Sequence, residues 1–249
     1  MKNNILFTTT ALIATLSVTT SAKAANLQHL QQLRNTNQCQ SCDLTNADLA
    51  GIDLRKANLQ GANLSGANLQ NSTLLDANLI NANLSQANLS KTDLLGADLS
   101  FANLKWANLN QAYLQGANLS FTNLEGASLR NAELAGTRIA MSELNGANFS
   151  GANLRGTDLR RAEMSDAVLT NANLQGSNLL DANLNYADLS GAELGSAQLT
   201  NANLVNANLA NADLTDANLS GAELAGANLI DTTLDGAVGV NKLPSTTVQ

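Results

Sequence analysis

The chain has 249 residues, a formal net charge of −7, 3% aromatic residues and a single Pro, Trp and His. An acidic balance without concentrated Lys/Arg excludes a general nucleic-acid binder. The scarcity of aromatics, beside an extreme load of Ala, Asn and Leu, excludes an ordinary globular domain.

The N-terminus reads as a secretory signal peptide over residues 1–24. Lys2 precedes an apolar core from Ile5 to about Val18, and Ala22-Lys23-Ala24 forms an A-x-A cleavage site. The core falls short of the roughly 18 or more strongly apolar residues of a membrane anchor, so no stable membrane insertion is expected after cleavage. No Arg-Arg pair precedes it, which favours the Sec route over Tat. Loss of Lys2 and Lys23, with no acid, takes the formal charge from −7 to −9.

Next, NLQHLQQLR (26–34) places Leu27, Leu30 and Leu33 on one helical stripe, ended by Asn35-Thr36-Asn37. A C-x-x-C pair, Cys39 and Cys42, follows and admits three readings: a redox couple, two metal ligands, or a fastener. A thioredoxin-like couple lacks its βαβ context. A zinc site needs four ligands, and His29 supplies only a third.

From residue 44 to 234 every fifth residue is Leu, at 36 of 39 positions, the exceptions being Ile139, Phe149 and Met164. Two residues before each stands a small residue, with Ile52 the one large exception. The unit is A-(N/D)-L-x-x, as in "GANLSGANLQ" at 61–70. Neither a 3.6-residue helix nor a plain alternating strand has this period. The spacing of two from Ala to Leu puts both on one face of an extended segment, and the spacing of three to the next Ala forces a corner. Gly66, Gly116, Gly126 and Gly136 fall two after a central residue, where a turn requires tolerance of φ > 0.

This motif resembles the pentapeptide-repeat family over nearly the whole mature chain. The resemblance implies an all-β solenoid: a right-handed quadrilateral β-helix of about ten coils, four pentads to a coil, with Leu and Ala inward. The expected organisation is an N-terminal cap (25–41, helix plus CxxC), the β-helix (42–238) and a C-terminal tail (239–249). At a coil spacing of about 4.8 Å the rod is roughly 45–50 Å long. In that frame Cys39 keeps the Leu register and Cys42 the small-residue slot, so both face inward across one corner of the first coil. In an exported protein the expected fate of such a pair is a disulfide, beneath a helix that covers the open coil. A Leu-rich helix followed by Q-C-x-x-C-D-L is similar to exported cyanobacterial members, so the expected address is the periplasm or thylakoid lumen. Family members also pair end to end, an option for this chain where Gly239 replaces the expected Leu.

No phosphate loop, dinucleotide fingerprint or nucleophile elbow occurs, and no catalytic residue, cofactor or metal is expected. A 20-residue coil would stack Glu143 over Glu163 and Glu193 over Asp213, about 5 Å apart, near the carboxylate spacing of a retaining glycosidase. These side chains face outward, where solvated repulsion accounts for them, and a carboxylate-dependent hydrolase is the weakest reading. The same stacking pairs Arg138 with Asp158 and Arg161 with Asp181. It also aligns Asn63, Asn83, Asn103 and Asn123 as an amide ladder.

The departures from the repeat are the candidate partner-binding residues. Phe101, Phe121, Met141 and Arg161 fall 20 apart at an outward corner, with Trp106 one face onward and Tyr113 beyond. Arg130, Arg138, Arg155 and Arg160 lie in the same coils. An exposed apolar patch of this kind marks a contact site, against the plainer reading that bulky residues shield a corner. The expected function is a non-enzymatic exported scaffold or interaction rod with an unknown protein partner. The alternative is an acidic rod that imitates DNA for a topoisomerase, as quinolone-resistance members of the family do. Export argues against it, and the projecting loops and dimer helices of that branch are missing.

Overall fold

The computed structural model describes residues 26–240; the expected signal peptide and residues 241–249 of the tail lie outside the described residues. Each pentad folds around one turn. Ala47 N–H donates to Leu44 O at 3.0 Å, and the bond recurs along the chain. The third residue of each turn has positive φ, for example 56° at Asn46, while the second does not, which defines a type II turn. This position accounts for the spacing of Gly in the sequence and for the Asn and Asp that alternate with it, since these residues enter the left-handed region at least cost.

Four such turns return the chain above its starting point. Parallel bridges join residues 20 apart, from Gln38–Asn58 to Asn218–Val238. Leu44 N–H donates to Asn63 O, and Asn63 N–H to Cys42 O, both at 2.8 Å. The expected strands are reduced to these single-residue bridges. Two of five residues turn each corner, which leaves three per side, and only the middle one pairs through both its N–H and its C=O.

The inner slots from Leu44 to Leu219 are buried apart from the half-buried Ile52, and Phe149 is the largest fully enclosed side chain. Several inward hydroxyls donate to carbonyls of the preceding coil, Thr92 Oγ1 to Leu69 O at 2.7 Å and Thr137 Oγ1 to Leu114 O at 2.9 Å, while Ser72 and Thr122 donate within their own turns and Ser177 Oγ has no partner among the described residues. The outward Asn or Asp has two tasks. Asn83 Oδ1 accepts from Ser85 N–H, which starts the turn, while its Nδ2 donates to Asn63 Oδ1 on the coil before. Asp can only accept, and so it receives from the Asn above it, as Asp48 does from Asn68 and Asp98 from Asn118. Of the expected ladder the Asn83–Asn63 rung forms, while Asn123 Nδ2 donates to Glu143 on the next coil instead.

The helix α1 (Leu27–Thr36) begins at Asn26, whose side chain accepts from Gln28 and His29 N–H, and ends at Asn37 in the left-handed region. Leu33 is buried and Leu30 packs against the core, but Leu27 is 75% exposed. This corrects the expected stripe. At 100° per residue Leu27 lies about 120° from Leu33, so a helix that inserts Leu33 turns Leu27 away. Beneath α1 a disulfide joins Cys39 and Cys42. His29 Nδ1 accepts from Asp43 N–H at 2.9 Å. The corresponding N–H of later coils donates to a carbonyl of the coil before, so the imidazole replaces a missing coil. Gln32 Nε2, donating to Gln38 O at 2.9 Å, adds a second tie.

Leu124→Ala, in the middle of the ladder, should lower stability by about 2–5 kcal/mol, read as a reduced urea midpoint. His29→Ala should cost about 1 kcal/mol by leaving the Asp43 N–H without its acceptor, read as a lower thermal midpoint.

Candidate functional site

Stacking at a period of 20 gives the rod four corner edges. Along one of them stand Phe101, Phe121, Met141, Arg161 and Asp181 in successive coils. The Phe101 and Phe121 rings stack with centroids 5.0 Å apart and planes within 3°. They remain 56% and 49% exposed, and Met141 beside them is also exposed. Arg161 Nε donates to Asp181 Oδ2 at 3.4 Å, and Asn201 Nδ2 to Asp181 Oδ1 at 3.1 Å, so the line passes from aromatic to charged to amide. A shallow hollow of about 190 Å³ opens among Ala140, Met141, Arg160, Arg161 and Leu180.

The backbone under this edge is in the left-handed region. Phe101 and Phe121 both have φ of 60°, a region that costs an L residue about 1–2 kcal/mol. The stack contributes about 0.5–1.5 kcal/mol for the pair beyond the area it buries. Asn, which the chain uses at positions 71, 81 and 131, would avoid most of the backbone cost.

Trp106 does not join this line. It occupies the next edge, 56% exposed, with Lys105 Nζ 4.6 Å from the ring centroid and 2.7 Å from Glu125 Oε2. Gly126 stands above it because a Cβ there would come within 2.4 Å of the indole. Tyr113 lies on a separate face. Tyr186, 58% exposed, shares the edge of Trp106 and was missed by reading the sequence. Its position, 80 residues after Trp106 and so four coils on, was the available signal.

The carboxylates are dispersed. Glu143 accepts from Asn123 Nδ2 at 2.6 Å and Glu163 from Asn183 Nδ2 at 2.8 Å, so the stacked pair is drawn toward opposite neighbours. The expected Arg138–Asp158 pair is corrected: Asp158 takes a two-pronged contact from Arg160, at 2.8 and 2.7 Å, because a partner two residues along the same coil reaches it directly. That guanidinium, with the Arg160 N–H, holds the Asp158 carboxyl below its usual value, and Arg138 adds a more distant favourable charge. The Thr215 hydroxyl likewise lowers Asp213. Among the described residues no group of three or more His, Cys, Asp or Glu is placed to hold a metal ion, and no helix is long and apolar enough to cross a membrane.

Residues 38–74, 77–116, 112–151, 142–179, 162–201 and 197–236 match the family model of pentapeptide repeats. Among solved structures the chain is 30% identical to HetL, a pentapeptide repeat protein involved in heterocyst differentiation regulation from the cyanobacterium Nostoc sp. strain PCC 7120. That match covers 88% of this chain and 98% of HetL, with a TM-score of 0.47. A pentapeptide repeat protein from the Arabidopsis thaliana thylakoid lumen is 30% identical over 42% of this chain and 70% of its own, at a TM-score of 0.32. QnrB1, a plasmid-mediated fluoroquinolone resistance protein, is 20% identical over 82% of this chain and 89% of its own, at 0.41. No curated protein matches the chain.

Because the folded carboxyl of Asp158 titrates below its unfolded value, its contribution to stability is present above about pH 4 and is withdrawn as pH falls through the folded pKa. Arg160→Met should move the Asp158 carboxyl titration, followed by NMR, back up toward the ordinary Asp value.

Proposed function

Since the chain belongs to the pentapeptide repeat family, we propose that it is a non-enzymatic, exported interaction rod that engages a protein partner through the Phe101–Phe121–Met141 edge. In this reading it is a right-handed quadrilateral β-helix of about ten coils, closed at its N-terminal end by α1 and the Cys39–Cys42 disulfide. The observation that carries it is the stacked, half-exposed pair of Phe side chains, held at positive φ with Met141 exposed beside them. Exposed apolar side chains gathered on one line mark interaction surfaces. Export to the periplasm or thylakoid lumen is supported by the A-x-A pattern after a short apolar run, and by a disulfide, which persists in oxidising compartments. At the other end of the rod Leu224 and Leu234 are only half-buried, which suits an end-to-end homodimer.

The net charge of −7 favours one further reading, imitation of DNA for a topoisomerase. Inhibition of gyrase supercoiling by the mature rod would support it; an unaffected reaction leaves the interaction rod.

Replacement of Phe101, Trp106 and Phe121 by Asn, which the same backbone positions accept elsewhere, should leave the thermal midpoint within a few degrees of the parent. It should also abolish the specific partner bands that the parent retrieves from the exported fraction. Equal retrieval by parent and variant would discard the aromatic edge as the contact site.

A further inference from the structure

A corner that the aromatic edge does not use holds a hollow of about 380 Å³, open to solvent on its outer side. Arg155 and Gln175 line one end, Gly195 lies at its middle, and Asp213 and Asp216 line the other end. A side chain is missing from its floor. The same outward position carries Arg155, Gln175 and Thr215 on the adjoining coils, and Gly195 interrupts them. Neither conformation nor packing asks for glycine there. Gly195 alone among the glycines of the chain lacks a positive φ, and a Cβ on it would make only ordinary contacts, 3.8 Å from Gln175 Cγ and 3.8 Å from Thr215 O.

The two ends of the hollow are opposite in charge. Arg55 and Arg160 each fold back on the Asp two positions before them, but Arg155 follows Asn153 and forms no ion pair among the described residues. Its guanidinium is left without a carboxylate. At the other end Asp216 also forms no ion pair among the described residues, and Asp213 takes both the N–H and the hydroxyl of Thr215 on Oδ1, which leaves Oδ2 open. The Thr215 hydroxyl, and then its N–H, hold the Asp213 carboxyl below its usual value, so it is charged at neutral pH. Three coils, about 14 Å at the usual spacing, separate the backbones of the two ends. With the Arg155 side chain reaching across half of that distance, roughly 7 Å remains, the span of two extended residues.

We propose that this hollow binds a short zwitterionic peptide of two residues, its carboxylate on Arg155 and its ammonium on Asp213 and Asp216. The peptide backbone lies over Gly195, where any side chain would hold it off. A ligand of one sign satisfies one end and is repelled by the other, whereas a zwitterion answers both and is fixed in direction. Glu193, exposed on the coil before Asp213, adds negative charge beside the hollow and so favours a basic side chain on the ligand over an acidic one.

The test is an NMR chemical-shift titration of the full mature rod with dialanine, lysyl-alanine and glutamyl-alanine, and with dialanine blocked by acetylation of its amine or amidation of its carboxylate. Free dialanine should shift the Gly176, Gly195 and Thr215 amides saturably, and either blocked form should bind at least tenfold more weakly. Lysyl-alanine should bind more tightly than glutamyl-alanine. Three variants place the ligand. Gly195→Gln fills the hollow with a residue that the same position carries at Gln115 and Gln175, and should weaken dialanine at least tenfold with an unchanged thermal midpoint. Arg155→Gln should remove the preference for a free carboxylate. Asp216→Asn, at a corner whose backbone accepts Asn elsewhere, should reduce the preference for a free amine. Equal binding of free and blocked dialanine by the parent would overturn the zwitterion, and undiminished binding by Gly195→Gln would overturn the hollow as its place. Absence of saturable shifts with all three free peptides would overturn the site, while leaving the aromatic edge as it stands.

Discussion

Every coil depends on one geometric condition: the N–H of each central residue must find the carbonyl nineteen positions ahead. It does so only if four identical corners bring the chain back above itself, and each corner needs a third turn residue in the left-handed region. The inward Leu then stacks on the Leu of the coils before and after. A change in the length of a single pentad would break the hydrogen bonds, the core and the outward ladder together, which is why the register runs from residue 44 to 234 without a slip.

The condition also determines where the surface is free to vary. Inward slots are filled mainly by Leu and small residues, and the middle of most sides is claimed by an Asn or Asp whose side chain starts the turn or bonds to a neighbouring coil. Only the corner side chains carry no obligatory bond, while the corner backbone N–H donates to the next coil, as Asn46 does to Ser65 O. Bulky side chains at corners stand where the backbone itself favours Gly and Asn. The line of Phe101, Phe121 and Met141 lies along one of these corners.

Stacked repeats contact only their neighbours, so the ends are the places where ordinary pairing fails. At the N-terminal end three unrelated devices converge. Leu33 closes the core, the imidazole of His29 accepts the N–H that a preceding coil would have taken, and the disulfide fixes the first corner. The one histidine of the chain thereby bonds the backbone of the first coil, a role its neighbours in sequence do not announce.

The period, the inward Leu and small residues, the need for positive φ at the turns and the inward register of both cysteines were all legible in the sequence, because each follows from spacing along one chain. The alignment of Phe101 with Phe121 was legible as well, once four pentads to a coil were supposed. What the sequence left undecided depends on direction and distance between coils. Leu27 points away from the core because a helix can insert only one side. Asp158 takes Arg160 over Arg138 because Arg160, whose backbone N–H already donates to the same carboxylate, meets it with two guanidinium nitrogens. Asn123 turns to Glu143 instead of Asn103 because an amide has a carboxylate within reach on one side. Linear spacing determines which residues share a line; only the packed coils decide which partner on that line each side chain takes.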